Sequence, residues 1–281
     1  MKSVGIAATI ALGMIVAVGS GASAGVTGRI VVTGYGPELP VMQDLAKAFE
    51  KANPGTAVDL EWDKNVKAVD RVKSGEAQIA VTDQEVPDLA ATPIGWDGIA
   101  VIVNFTNPVG EVTSDDIKRL FTGKIRRWTD LNGADTKVIV VDRTPFDNVK
   151  SGFEESLGIV GQVQSEGKPL RTDQRALREV SGKDSAISYL SLSAALRAQE
   201  DGIPVRVLSI DGVEPGEPTV ADGRYKLRRP VLLLTSKQPD PVTAAFVAFA
   251  GSPEGRKIVG SMFVPYTAPA TTPKHAALQN R

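Results

Sequence analysis

Short runs of apolar, β-prone residues alternate along the chain with segments whose apolar residues recur at helical spacing. Residues 29–32 predict a strand, a glycine-rich loop follows, and residues 42–49 place apolar side chains on one face of a helix. Apolar and polar residues alternate over 58–62, as in a half-buried strand, and a second helix leads to a strand at 78–81. This succession predicts an α/β fold with a mostly parallel sheet.

The second half of the chain continues the alternation. The continuous apolar run 98–103 predicts a strand buried on both faces, and Thr113 with Asp116 predicts the capped start of a helix. A strand at 138–141 is followed by a polar loop and a helix, and the run 230–235 predicts the last long strand. The three tryptophans are expected in the core.

The first 24 residues have the pattern of a secretory signal peptide. Lys2 precedes an apolar run from Val4 to Val18, and small residues at 22–24 allow cleavage after Ala24. The chain contains no cysteine, so neither a disulfide nor a lipid attached through cysteine is expected. We therefore predict a protein released into the periplasm, with a flexible tail at 268–281 because that segment lacks periodicity.

Charge and residue content exclude several classes of function. The formal net charge is −1, so nucleic acid is not an expected partner. The basic clusters at 124–127 and 224–229 are expected on solvated faces. With no cysteine, and with His275 as the single histidine, the chain offers no credible nucleophile and base pair and no zinc-ligand spacing. We predict that it is not an enzyme and holds no metal and no cofactor.

Several phrases, in their order along the chain, resemble the phosphate-binding receptors of bacterial phosphate ABC importers. They are Phe-Glu-Lys-Ala-Asn-Pro-Gly at 49–55, Asp-Gly-Ile-Ala-Val-Ile-Val-Asn at 97–104, Phe-Thr-Gly-Lys-Ile at 121–125 with Trp128, Ala-Ile-Ser-Tyr at 186–189, and Ser-Pro-Glu-Gly at 252–255. The resemblance covers nearly all of the chain after residue 24. It implies an α/β, type II periplasmic-binding-protein fold, with two α/β lobes and a ligand cleft between them.

The same resemblance implies a division of the chain and a set of partners. Residues 25–104 and 207–267 would build one lobe, and residues 105–206 the other. The protein would be a monomeric receptor that carries phosphate or another small oxyanion to an inner-membrane ABC permease.

Loops that precede helices form the expected binding site, because free N–H groups at helix N-termini favour anions. The resemblance places candidate ligand contacts on four loops: Tyr35 and Gly36; Lys64 and Asn65; Asp83; and Arg143 with Asp147, Asn148 and Val149. In the family, the aspartate that matches Asp83 accepts a hydrogen bond from protonated phosphate. The family arginine is followed by a Ser-Gly-Thr cradle, whose positions are taken here by Asp147, Asn148 and Val149.

That departure from the family pattern leaves three functions open. A carboxylate about 4 Å from a bound anion is unfavourable by ~4 kcal/mol at an effective dielectric of about 20. Phosphate binding therefore requires Asp147 to turn outward, for instance as the N-cap of the helix that follows. The alternatives are the same fold with a larger neutral, zwitterionic or cationic solute, and a ligand-free scaffold or sensor protein. Fold alone does not choose among the three.

Overall fold

The computed structural model describes residues 25–63, 67–145 and 147–267. The predicted signal peptide, the predicted tail and the candidate contacts Lys64 and Asn65 lie outside the described residues. Within the described ranges, no helix has the length and apolar character needed to cross a membrane.

Strands and helices alternate through most of the chain, and the predicted α/β class is confirmed. The strands are β1 (Gly28–Gly34), β2 (Thr56–Trp62), β3 (Ile79–Thr82), β4 (Ala90–Asn104), β5 (Glu111–Val112), β6 (Ile139–Val140), β7 (Ala186–Ser191), β8 (Val205–Val207), β9 (Ser209–Ile210), β10 (Arg228–Thr235) and β11 (Val264–Pro265). The helices are α1 (Leu39–Ala52), α2 (Ala68–Ser74), α3 (Ser114–Phe121), α4 (Asn148–Leu157), α5 (Asp173–Ser181), α6 (Leu192–Glu200), α7 (Glu217–Ala221), α8 (Pro241–Ala250) and α9 (Pro253–Val259), with a short 3-10 helix at Trp128–Leu131.

The main sheet is mixed, which corrects the prediction of a mostly parallel sheet. Its strand order is β2-β1-β3-β10-β4-β7-β6, and β8 and β11 also pair with β4. Strand β1 runs parallel to β2 and β3, whereas β10 is antiparallel to β3 and β4, and β4 is antiparallel to β7. The sequence pattern does not predict strand direction, because apolar periodicity is the same in a parallel and an antiparallel strand.

Two large hydrophobic cores flank the middle of this sheet, and a smaller cluster lies among α2, β3 and β10. The first core contains Ile30, Phe49 and Phe246, and the second contains Phe153 and Tyr189. In the second core the rings of Phe153 and Tyr189 stack with centroids 3.9 Å apart. Each large core is covered by its own helices, so the chain folds around two main centres of apolar burial.

The 15-residue strand β4 belongs to both cores. Its residues 90–98 pair with β10, and its residues 99–103 pair with β7. The chain passes between the cores a second time where β10 begins, and there the Ile99 N–H donates to the Leu227 carbonyl over 2.7 Å. The cores therefore meet at Gly98–Ile99 and Leu227–Arg228. The lobe divisions expected at 104/105 and 206/207 stay a prediction, since one apolar run reveals a buried strand but not where that strand changes partner.

Five helices within the described ranges, α3, α4, α5, α8 and α9, begin at a capping side chain. Thr113 and Asp116 form a reciprocal capping box at the start of α3, as predicted. Asp147 caps α4 by accepting a hydrogen bond from the Val149 N–H at 2.9 Å. This fixes α4 with its N-terminus at the junction of the two cores.

Helix α4 packs against the start of β10 through a glycine. A Cβ atom added to Gly152 would lie 2.8 Å from Cβ and 2.9 Å from Cδ of Arg229, and 3.2 Å from Cδ1 of Ile99. The first of these atoms is fixed to the backbone, so it cannot turn aside. The absence of a side chain at residue 152 lets α4 lie directly on the buried arginine.

We predict that Gly152→Ala destabilises the protein. Overpacking costs about 1–3 kcal/mol, and the helix propensity of alanine over glycine offsets about 1 kcal/mol of that cost. Urea denaturation should therefore give a free energy of unfolding up to about 2 kcal/mol below that of the parent. Gly110→Ala is the control, because its added Cβ would have its nearest neighbour at 4.0 Å. A Gly152→Ala variant as stable as this control would contradict the packing argument.

Candidate functional site

A cavity of about 590 Å³ opens between the two cores. The first-core side contributes residues 35–37, 39, 40, 62, 63 and 262, and the second-core side contributes Arg143, Asp147, Arg171, Thr172 and Asp173. Four of the nine candidate contacts line it, namely Tyr35, Gly36, Arg143 and Asp147. Loops from distant parts of the sequence thus meet at one place, as expected of a site formed where helices begin.

Arg143 lies at the floor of this cavity and is bound by two carboxylates. Its Nε and Nη2 atoms donate to Oδ2 of Asp147 at 3.0 and 2.7 Å, and its Nη1 donates to Oδ1 of Asp173 at 2.6 Å. The guanidinium is only 2% exposed. Asp147 therefore caps α4 with one oxygen and neutralises Arg143 with the other.

Backbone pairing holds the two halves of this wall together. The Leu170 N–H donates to the Asp142 carbonyl, and the Thr144 N–H donates to the Leu170 carbonyl, both within 3.0 Å. These bonds place Arg171 and Asp173 beside Arg143. Arg171 is exposed and its guanidinium has no ion pair or hydrogen bond within the described part of the chain.

The opposite wall is aromatic and closely packed. The indole N–H of Trp62 donates to the Gly36 carbonyl at 3.0 Å, and a Cβ on Gly34 would lie 2.6 Å from the Trp62 ring. Glycine at residue 34 therefore allows the ring to lie flat along the loop that carries Tyr35. The expectation of tryptophans in the core holds for Trp128, which is 1% exposed, but Trp62 faces the cavity.

A second arginine, Arg229, lies beneath the cavity and was missed. Its Nη1 is 2.6 Å from Oε1 of Glu38, as an ion pair without the alignment of a hydrogen bond. Its Nε and Nη2 donate to Oδ2 of Asp97 at 3.2 and 2.8 Å. Arg229 is 1% exposed, which corrects the expectation that the basic cluster 224–229 is solvated. The sequence does contain one signal for this burial, because Arg229 directly precedes the strongly apolar run 230–235.

The remaining candidate contacts lie around the start of α4. Asp83, at the end of β3, is buried and accepts a hydrogen bond from the Ser151 hydroxyl at 2.8 Å. The Asn148 amide donates to the Tyr35 carbonyl at 2.8 Å, which ties the N-termini of α1 and α4 together. Val149 is fully buried in the second core, so its side chain faces away from the cavity.

The charged groups of this region form one coupled network with a surplus of carboxylates. It consists of two arginines and five acids: Arg143, Arg229, Glu38, Asp83, Asp97, Asp147 and Asp173. Burial raises the pKa of Asp97 to about 6. Burial also raises the pKa values of Asp83 and Asp173 above the ordinary range. The excess of negative charge therefore favours protonation of some of these carboxylates, or binding of a ligand that carries positive charge.

Most of the chain is similar to proteins of known family. A family model described as a PBP superfamily domain matches residues 19–254. A phosphate-binding protein PstS of Bacillus subtilis is 25% identical over 209 residues, which cover 72% of this chain and 68% of that protein. A Clostridium perfringens protein solved with bound phosphate has a TM-score of 0.74 at 25% identity, and the match covers 85% of this chain and 100% of that chain. An ABC-type phosphate transport receptor from Vibrio cholerae has a TM-score of 0.75 at 23% identity over 85% of this chain and 100% of that chain.

We predict that Asp97 makes the protein less stable as the pH rises from about 4 to about 6. The native state holds the Asp97 proton up to a pKa of about 6, whereas the unfolded state releases it near 3.8. Stability from this group is therefore complete below the lower value and lost through the upper one, and amounts to ~3 kcal/mol. Urea denaturation of the parent and Asp97→Asn at stepped pH should show this loss only in the parent. A constant difference between the two proteins would show that Arg229 keeps Asp97 ionised.

Proposed function

Since this chain belongs to the PBP superfamily, we propose that it is the solute-binding receptor of an ABC importer. It is related by sequence and structure to the phosphate-binding proteins of phosphate ABC importers, and the type II periplasmic-binding-protein fold is confirmed. The cavity between the two cores is the observation that carries the proposal. The partners would be a small solute and a membrane permease, the location extracytoplasmic after removal of residues 1–24, and the role non-enzymatic in a monomer.

The first candidate ligand is phosphate or another small oxyanion. The relatives named above support it, and so does Arg171, whose exposed guanidinium lines the cavity next to Thr172 at the start of α5. An unpaired guanidinium presents several N–H donors in the geometry that suits phosphate and carboxylate oxygens. We place the anionic group of the solute at Arg171, because Arg143 is already bonded to two carboxylates.

The second candidate ligand is a zwitterionic or cationic solute, and the charge of the site favours it. Five carboxylates face two arginines in the buried network, and the cavity wall adds the aromatic rings of Tyr35 and Trp62. An aromatic face and nearby carboxylates both attract a cationic group. A zwitterion would place its anionic group at Arg171 and its cationic group toward Asp147 and Asp173.

We also propose that the two cores are two lobes that close on the solute. Residues 25–98 with 228–267 would form the first lobe, and residues 99–227 the second. The support is the change of strand partner at Gly98–Ile99 and the start of β10 at Arg228. Two chain segments that cross between the lobes, within β4 and just before β10, allow rotation about a few residues.

We predict that a member of a small ligand panel stabilises the protein in thermal denaturation. The panel contains inorganic phosphate, sulfate, a zwitterionic betaine and a linear diamine at matched ionic strength. A solute at 100 times its Kd stabilises by ~2.7 kcal/mol, which raises Tm by roughly 5–10 °C for a chain of this size. Phosphate alone would support the first candidate, and the betaine or diamine alone the second. No stabilisation by any solute would favour the ligand-free scaffold and overturn the receptor proposal.

We predict that Arg171→Gln weakens binding of an anionic or zwitterionic solute at least tenfold, or ~1.4 kcal/mol. The change removes the guanidinium that faces the cavity while leaving the Arg143 pairs intact. Arg175→Gln is the matched control, because it removes the same charge from α5 at a residue that does not line the cavity. Calorimetric titration measures both variants. Equal losses in the two would show that only long-range charge matters.

We predict that the solute which stabilises the protein also makes it more compact. Closure about residues 98–99 and 227–228 would bring the cavity walls together, so the radius of gyration should fall when the solute is added. Small-angle X-ray scattering of the Arg171→Gln variant under the same conditions is the control. An unchanged radius at saturating solute would contradict closure and would leave the binding result standing.

A further inference from the structure

Glu38 is a fully buried carboxylate placed immediately before α1. One of its oxygens pairs with Arg229, while the other, Oε2, accepts no hydrogen bond from any residue that the structure describes. We propose that Glu38 is a resident anion: its carboxylate occupies an anion pocket over Arg229, and it keeps small free anions out. The proposal rests on the proposed function, since it concerns which solutes the same interlobe site admits.

The pocket around Glu38 has the contacts of a built anion site. Arg229 approaches Oε1 at 2.6 Å, and the amide nitrogen of Asn148 lies 3.5 Å from the same oxygen. Glu38 precedes the 14-residue helix α1, and Asn148 is the first residue of the 10-residue helix α4. A buried guanidinium and the side-chain amide of Asn148 therefore approach one carboxylate at the start of α1.

The loop before α1 is shaped around this carboxylate. Gly36 has a φ of +122°, and a Cβ there would lie 2.7 Å from Oε2 of Glu38 and 3.2 Å from the amide nitrogen of Asn148. A side chain at residue 36 would thus collide with the group that occupies the pocket. Thr33, at the end of the preceding strand, also has a buried hydroxyl without a hydrogen-bond partner among the described residues.

Glu38 leaves one of its two oxygens without a donor among the described residues. Buried carboxylates normally have their oxygens satisfied by donors, yet Oε2 has none within the described ranges and the contact to Arg229 is not aligned as a hydrogen bond. An anion that is free to rotate could orient its oxygens toward Arg229 and Asn148 together. The pocket is therefore expected to accept such an anion once the tethered carboxylate is removed.

The resident carboxylate explains how a chain related to phosphate receptors would reject free phosphate at this point. Any anion that enters meets the charge of Glu38 and, across Arg229, that of Asp97. The solute anion is then directed to Arg171 on the cavity wall instead. Removing Glu38 leaves Asp97 as the remaining ion-pair partner of Arg229 among the described residues, so the variant gains both space and positive charge.

Chemical rescue of Glu38→Ala tests the proposal. The variant should be less stable than the parent, and formate or inorganic phosphate should raise its Tm relative to sodium chloride at equal ionic strength. Its affinity for phosphate should exceed that of the parent at least about tenfold by calorimetry. The parent should show no comparable anion effect at this pocket.

Two further variants make the result unambiguous. Glu50→Ala is the matched control, because Glu50 belongs to α1 and accepts from the Val58 N–H at 2.7 Å but pairs with no arginine within the described residues; anions should not rescue it. If Glu38→Ala fails to fold even with anions, Glu38→Ser decides, because it also removes the charge and empties the pocket while keeping a polar side chain, and it should gain phosphate affinity. A folded Glu38 variant with no gain, or a parent that binds phosphate as tightly as the variants, overturns the proposal.

These outcomes are separate from those of the ligand panel. The panel measures solutes on the parent protein and depends on Arg171, whereas the rescue measures inorganic anions on Glu38 variants and depends on Arg229. A failed panel with successful rescue would remove the proposed function and keep the pocket. If a solute of the panel stabilises the parent but anions fail to rescue the Glu38 variants, the proposed function stands and the proposal for the anion pocket is overturned.

Discussion

The ion pairs of Arg229 join the start of α1 to β4 and β10. This single buried guanidinium, at the start of β10, binds Glu38 before α1 and Asp97 on β4, while Gly152 of α4 packs against its aliphatic part. Asp97 in turn accepts from the Ser191 hydroxyl at 2.5 Å, which extends the contact into the second core. An unpaired charge at this depth would be strongly destabilising. The relative placement of the two cores and of both helix N-termini therefore depends on Arg229 keeping its partners.

Internal charge pairing gives the site a different character from a simple anion cradle. Arg143 is matched by Asp147 and Asp173, and Arg229 by Glu38 and Asp97. Helix N-termini still favour negative charge, but side chains of the protein already supply it. The relationship to phosphate-binding proteins therefore establishes the fold. The identity of the solute depends on which charged side chains face the cavity without an internal partner.

Much of the fold was predictable from local pattern. Local pattern predicts the cap at Thr113 and the strands at 29–32, 58–62 and 98–103, because apolar periodicity and capping chemistry act over a few residues. The candidate contacts Tyr35, Gly36, Arg143 and Asp147 do line one cavity. Glu38, Asp97 and Arg229 were missed because a charged residue next to an apolar run looks the same whether it is solvated or buried with a partner.

The sequence by itself determined the α/β class, the helix starts and the family relationship, since these follow from spacing along a short stretch or from phrases in order. Tertiary structure decided which strand β4 pairs with on each side of Gly98, and which carboxylate each arginine meets. Arg229 and Asp97 are separated by 132 residues, and Arg143 and Asp173 by 30. No local pattern encodes such pairs, because the free energy of burying a charge depends on groups that only the folded chain brings within hydrogen-bond distance.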